Sequence, residues 1–275
     1  MKVTIESNNL FEKYLRLLGI RRRPPSLESL TELVAAHLKR IPFENISKLY
    51  YLNKFGQKSI PDMNQYLNGI EHHNFGGTCY SNNYSFHLLL TNLGYNCKLC
   101  GADMNEPDVH LVNIVTLDGH EYIIDTGYAA PFDHPLPRDL DKDYIIALGR
   151  DRYVIKPKDK IGNSKIELFR NAQLIHDYTA KPIHRRIEYF EPAITDSYLK
   201  DSTFMKSILL VRIEKNKSFA IYNLLVIESE GACYDITPIS SRNELPSLIE
   251  KHFSIPRNIV TKAIVNIGEL GSAWN

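Results

Sequence analysis

The pair Asp118-Gly119 constrains this chain more than any other feature. It separates two strand-like runs, His110-Leu111-Val112-Asn113-Ile114-Val115-Thr116-Leu117 and His120-Glu121-Tyr122-Ile123-Ile124-Asp125. Asp-Gly is a strong signal for a two-residue hairpin turn, because both turn positions need φ > 0. Such a turn leaves no freedom in register. Leu117 must face His120, and counting back puts Val112 opposite Asp125 and His110 opposite Gly127. His110 and Asp125 then share one face as diagonal neighbours, roughly 7–8 Å apart between backbones, a gap that an imidazole and a carboxylate can bridge. A histidine–carboxylate pair therefore follows from the turn.

A nucleophile stands upstream. Gly76-Gly77-Thr78-Cys79-Tyr80-Ser81-Asn82-Asn83 runs from flexible backbone into Tyr84, Phe86, Leu88, Leu89 and Leu93, with Gly94 at a helix C′ position. Cys79 is thus expected at a helix N-terminus, where unpaired N–H groups and the positive end of the dipole favour thiolate, the nucleophilic form. Cys79, His110 and Asp125 make the nucleophile, base and orienting acid needed for acyl transfer. Contact between Cys79 and His110 is an inference at this stage.

The rest of the chain reads as α+β in three parts. Residues 1–95 are expected to form a helical bundle carrying the nucleophile: Phe11, Tyr14, Leu15 and Leu18 make one apolar stripe, and Leu30, Leu33, Val34, His37 and Leu38 another. Ser29 with Glu32 reads as a capping box after Pro24-Pro25. Residues 96–200 read as a central antiparallel β-barrel or sheet carrying His110 and Asp125, and residues 201–275 as an α/β lid. That lid is expected to hold strands at Ser207–Ile213 and Phe219–Glu228 and a helix from Asn243 to His252. His37, on an apolar helix face, reads as a core histidine with a partner near Glu44.

Composition narrows the function classes. A net charge of +1 over 275 residues argues against a nucleic-acid partner, and the runs Arg21-Arg22-Arg23 and His184-Arg185-Arg186 read as solvated loop charge. No apolar run approaches the ~18 residues of a membrane span, and the opening Met1-Lys2-Val3-Thr4-Ile5-Glu6 has no signal-peptide apolar region. A soluble cytoplasmic protein with four free cysteines is expected. Cys97 and Cys100 form a C-x-x-C, but on a strand that odd spacing sends the thiols to opposite faces, so no redox pair or metal site is expected there.

The motifs together resemble the arylamine N-acetyltransferase family. They are Ile41-Pro42-Phe43-Glu44-Asn45 preceded by His37; Gly76-Gly77-Thr78-Cys79 with Asn82 and Asn83; His110-Leu111-Val112; Asp125-Thr126-Gly127-Tyr128; and, further on, Asn171 to Tyr178 and Ser202-Thr203-Phe204-Met205. The resemblance implies a cysteine-protease-like catalytic core with Cys79, His110 and Asp125 as its triad. It also implies acetyl-CoA as acyl donor, no metal, and an aromatic amine, hydrazine or N-hydroxyarylamine as acceptor. The alternatives are an amide synthase or thiol hydrolase on the same triad, and a catalytically silent relative.

Two positions depart from the family pattern. Phe75 stands where an Arg usually precedes the paired glycines, and Ser81 where Glu or Gln is common. That Arg typically pairs with the glutamate of the Pro-Phe-Glu-Asn motif. Without it, Glu44 is expected to be held by backbone N–H groups or neutral side chains near the start of the Cys79 helix, and Phe75 to fill an apolar pocket. The turn after Asp125 is also altered, with Ala129 and Ala130 following Tyr128.

Overall fold

In the computed structural model, which describes residues 2–270, five helices come first. They are α1 (Lys2–Leu18), α2 (Leu27–Arg40), α3 (Ile46–Phe55), α4 (Met63–His73) and α5 (Cys79–Asn92), with a two-residue strand, β1 (Phe43–Glu44), between α2 and α3. Tyr14, Leu15, Leu30, Val34, Leu67, Ile70, Phe86 and Leu90 bury the apolar stripes of α1, α2, α4 and α5 in one core. The capping box of α2 lies three residues earlier than Ser29–Glu32. Ser26 is the N-cap and accepts from the Ser29 N–H, while the Ser29 hydroxyl accepts from the Ser26 N–H. Serine serves at the reciprocal position because Ser29 is buried and its hydroxyl also meets Tyr95 at 2.5 Å.

The middle of the chain is one eight-stranded antiparallel sheet in the order β5-β4-β3-β2-β9-β8-β7-β6. Its strands are β2 (Asn96–Asp103), β3 (His110–Leu117), β4 (His120–Ile124), β5 (Leu136–Pro137), β6 (Tyr144–Leu148), β7 (Asp151–Ile155), β8 (Ser164–Arg170) and β9 (Gln173–His184). The β3–β4 hairpin has the register set by Asp118-Gly119, with Leu117 opposite His120 and Asn113 opposite Ile124, but the ladder ends there, so the expected pairs Val112–Asp125 and His110–Gly127 are not part of it. Both turn residues have positive φ, 51° and 80°. Cys97 and Cys100 on β2 do face opposite ways: Cys97 packs against the helical core and Cys100 lies in the core of the sheet's other face.

A short helix, α6 (Glu191–Asp196), leads to a second, five-stranded sheet of order β1-β10-β11-β12-β13. Its strands are β10 (Leu209–Glu214), β11 (Lys217–Tyr222), β12 (Leu225–Glu230) and β13 (Cys233–Pro238), followed by α7 (Leu245–Phe253) and α8 (Arg257–Ile264). The expected strand Phe219–Glu228 is therefore two strands. Tyr222 faces Leu225 across a turn in which Asn223 has φ 49°, a conformation asparagine tolerates better than most residues. Apolar residues on both sides of Asn223, from Phe219 to Ile227, hide that turn. Helix α7 begins two residues later than Asn243 because a 3₁₀ turn (Arg242–Glu244) precedes it. The last five residues of the expected lid, 271–275, lie outside the described residues.

The Pro-Phe-Glu-Asn motif ties the N-terminal and C-terminal parts together. Phe43 pairs with Val211 on one side and bridges to Gly77 on the other. Asn45 donates to the carbonyls of Phe204 and Ser207 and accepts from the Leu209 N–H at 3.0 Å. A buried asparagine with all these bonds satisfied holds β10 beside the Gly76-Gly77 loop.

Candidate active site

Cys79 is the first residue of α5, with Thr78 as the extended N-cap. Its side chain is almost enclosed, at 9% exposure, among Tyr80, Leu99, Leu111, Phe190 and Ile194. His110 begins β3, and its Nε2 donates to Asp125 Oδ2 at 2.8 Å, with both side chains essentially fully buried. Nδ1 is not used by Asp125, and Cys79 is near enough to His110 to act on its charge. The structure thus brings together all three residues singled out in the sequence, and it adds the Cys79–His110 proximity that register could not supply.

Electrostatics fit a charged imidazole. Burial alone would lower the pKa of His110; the Asp125 carboxylate, its hydrogen bond and the nearby Cys79 outweigh that and push it up to about 10. Asp125 is held on every side. Its Oδ2 also accepts from the Tyr178 hydroxyl at 2.9 Å, and its Oδ1 accepts from Asn83 Nδ2 at 2.8 Å and from the Gly127 N–H at 3.1 Å. Burial first, then the Asp125 charge, hold Tyr178 well above the usual phenol range, so it stays a neutral donor.

Asn83 joins the nucleophile helix to the hairpin. Its Nδ2 donates to the Leu111 carbonyl at 2.6 Å as well as to Asp125, and its Oδ1 accepts from the N–H groups of Thr126 and Gly127. Four residues after Cys79 on one helix, it lies on the same face, which is why one side chain can fix the spacing between thiol and carboxylate. Two glycines permit the close packing. A Cβ on Gly127 would lie 2.7 Å from Cys79 Cα, and one on Gly76 would lie 1.8 Å from the Pro42 carbonyl oxygen. Asn82 braces the other side, accepting from Tyr66 at 2.9 Å and donating to the Gly77 carbonyl at 3.1 Å.

Glu44 is completely buried and held by backbone. It accepts from the Gly76 N–H at 3.0 Å and from the Ser47 N–H at 2.9 Å. Burial raises its carboxyl, and the bonds from Ser47, Gly76 and Ile46 oppose that rise. The helix end it caps is that of α3, where Ser47 lies, and not that of α5; the Gly76 bond nevertheless braces the nucleophile loop as expected. His37 is a core histidine whose partner is Tyr14, at 3.1 Å, with burial lowering it to about 3. It has no hydrogen bond to Glu44.

Asn83, Tyr178 and Lys48 carry no functional role in the sequence reading. Asn83 had a signal, its i+4 spacing from Cys79. Tyr178 had none, because its reach to Asp125 depends on β9 pairing with β2. Lys48 lies within a fully buried run of α3, Ile46 to Tyr51, and an unbroken buried helix is not visible from a local pattern. No group of three or more metal-ligating side chains occurs among the described residues.

The model of the N-acetyltransferase family matches residues 26–261. The chain belongs to the arylamine N-acetyltransferase family. By that membership it is an acyltransferase. It is 26% identical over 210 residues to the arylamine N-acetyltransferase pineal gland isozyme NAT-10 of Gallus gallus, covering 66% of this chain and 69% of that protein. It is 33% identical over 131 residues to proansamycin X synthase of Amycolatopsis mediterranei, covering 44% and 48%. Among solved structures, the arylamine N-acetyltransferase of Mycobacterium marinum in complex with CoA superposes with TM-score 0.76 at 17% identity, covering 94% of this chain and 100% of that one. At that identity the likeness speaks for the fold.

Within this family frame, Phe75 is a core residue. It is 1% exposed, with ring centroids 5.7 Å from Tyr50 and Tyr51 and 5.1 Å from His73. Restoring the family residue by Phe75→Arg is expected to destabilise the protein by about 3 kcal/mol or more, since it loses aromatic packing and buries a guanidinium. Urea denaturation measures this. A variant as stable as wild type, with its guanidinium on Glu44, would refute the pocket reading.

Proposed function

We propose that this family member transfers an acetyl group from acetyl-CoA to an arylamine, hydrazine or N-hydroxyarylamine through an acetyl-Cys79 intermediate, in a ping-pong sequence. The observation that carries the reading is the buried His110–Asp125 pair at 2.8 Å, with Cys79 near enough to act on the charge of His110. The Cys79 thiolate attacks the thioester carbonyl, the first-turn N–H groups of α5 stabilise the oxyanion, and coenzyme A leaves as its thiol with the proton held by His110. The amine then attacks acetyl-Cys79. Its N–C bond forms as the C–S bond breaks, and His110 takes the amine proton. Tyr178, Asn83 and the Gly127 N–H keep Asp125 in place as a carboxylate acceptor. Family membership supports the donor, and four free thiols suit the reducing cytoplasm proposed as its location. No described helix is long and apolar enough to cross a membrane. Processing of foreign aromatic amines is the role proposed on the same grounds.

Intact-mass measurement after mixing with acetyl-CoA alone tests the reading. One acetyl group on Cys79, released by an arylamine or hydrazine, is expected; no acyl-enzyme with any amine present or absent refutes it. The likeness to proansamycin X synthase favours a second reading, amide synthesis on the same triad. Acyl transfer from a simple ester or another non-CoA thioester, with acetyl-CoA inert, would select it.

A further inference from the structure

Near the start of α5 lies a charged group that the mechanism above does not use. Lys48 on α3 is 8% exposed, and its Nζ donates to Ser197 Oγ at 2.5 Å and sits 3.8 Å over the ring of Tyr198. The Ser197 hydroxyl passes its own proton to the Ile194 carbonyl at 2.6 Å, so it acts toward Lys48 as acceptor. Ile194 belongs to the apolar cluster that encloses Cys79, and Tyr198 packs against that cluster. Neutral partners thus hold the ammonium, and no carboxylate among the described residues is paired with it. Burial lowers it to about 7, against the pull of the Cys79 charge. A buried ammonium without a counter-ion is costly, so a neighbour that takes up negative charge relieves it.

Lys48 lines a cavity with room for about one water together with Thr78, Tyr80 and Ser81; Cys79 does not line it, and neither does any acidic residue. Thr78 and Tyr80 are the chain neighbours of Cys79, so the influence of Lys48 crosses the first turn of α5 by charge and not by contact. Such packed surroundings screen a charge far less than water does. The other titratable groups that face this cavity, from α3, α5 and the turn after α6, are Tyr51, Tyr80 and Tyr198. Burial raises all three, so they stay neutral hydroxyls at neutral pH. The Cys79 charge therefore acts on two cations, His110 from β3 and Lys48 from α3.

We propose that Lys48 is a positioning residue for Cys79, its enclosed ammonium favouring negative charge on the sulfur in addition to His110. This rests on Cys79 as the reacting thiol. Lys48 keeps its proton throughout. In the first half-reaction the Cys79 sulfur bonds to the thioester carbonyl, and the negative charge passes to the carbonyl oxygen. It then leaves on the coenzyme A sulfur as that bond breaks, and His110 supplies the proton. In the second half-reaction the amine bonds to the carbonyl, the Cys79–carbonyl bond breaks, and the charge returns to Cys79. The acyl-enzyme is the state in which Cys79 is neutral, so Lys48 regains its counter-charge when the acyl group departs. A cation so placed favours the thiolate both as nucleophile and as leaving group.

The test is the pH dependence of Cys79 alkylation by iodoacetamide, a neutral reagent, in the wild type, in Lys48→Met, which keeps the volume, and in Lys48→Arg, which keeps the charge. In Lys48→Met the rate at neutral pH should fall roughly three- to tenfold and the midpoint of the profile should move to higher pH, because losing a cation disfavours the thiolate. At high pH, where the thiolate forms regardless, the two rates should converge. Lys48→Arg should restore most of the loss. A profile that Lys48→Met leaves unmoved overturns the proposal. So does a loss that persists unchanged at high pH, or one that folded Lys48→Arg shares in full, since either would mean that Lys48 only packs. Circular dichroism checks folding, and Lys48→Gln takes the place of Lys48→Met if the latter does not fold. Alkylation needs no thioester. If acetyl-CoA fails to acylate Cys79, the function proposed above falls, and the alkylation profile still decides the role of Lys48.

Discussion

Cys79→Ser is expected to keep the fold and lose acetyl transfer by roughly 10⁴-fold or more. The side chain lies at the start of α5 among Tyr80, Leu99 and Leu111, and an oxygen for a sulfur there changes volume little, so thermal unfolding should move by only a few degrees. The chemistry changes far more. A thiol passes its proton to an imidazole far more readily than a hydroxyl does, so serine is the weaker nucleophile beside His110. The second half-reaction also suffers. Passing an acetyl group from one thioester to another conserves its reactivity toward an amine, while an acetyl-serine ester holds it at lower transfer potential. Acetyl-CoA hydrolysis or transfer by a folded Cys79→Ser protein at near wild-type rate would remove Cys79 from the mechanism.

The hairpin explains why so much of this site was legible. Asp118-Gly119 fixes Leu117 opposite His120, which aims His110 and Asp125 to the same side, although the ladder stops at Asn113 and Ile124 and Asn83 holds Asp125 and Gly127 beyond it. Cys79 was legible because Gly76-Gly77-Thr78 and Gly94 mark both ends of α5. What escaped were contacts made only by packing one element on another. Tyr178 reaches Asp125 from a strand 53 positions downstream. Lys48 lies in the first half of α3, where Ile46 to Tyr51 are all buried because α8 packs against that part of the helix. The split of Phe219–Glu228 into two strands failed for the opposite reason: apolar residues flank the turn on both sides, and the only local sign is Asn223. Glu44 shows a middle case. Loss of the family's Arg required another donor, and backbone N–H groups were the available ones, but which helix supplied them depended on where Ser47 falls.

Asp125→Asn is expected to retain structure and lose roughly 10²- to 10⁴-fold in acetyl transfer. The amide fits the same space, and its Nδ2 and Oδ1 can meet some of the present partners. It cannot meet all of them. Oδ1 now accepts from Asn83 and Gly127 and Oδ2 from His110 and Tyr178, so whichever side the new NH₂ takes, donors face a donor. The larger loss is electrostatic. Burial lowers the pKa of His110, and Asp125 is the main group that reverses this. Without the carboxylate, His110 falls, the imidazolium is depleted at neutral pH, and the Cys79 thiolate loses its counter-ion. Alkylation of Cys79 by iodoacetamide reads this step apart from acetyl transfer. It should slow in Asp125→Asn, and its pH dependence should shift from that of the wild type. An unchanged rate and profile would mean that Asp125 only packs beneath His110 and takes no part in setting its charge.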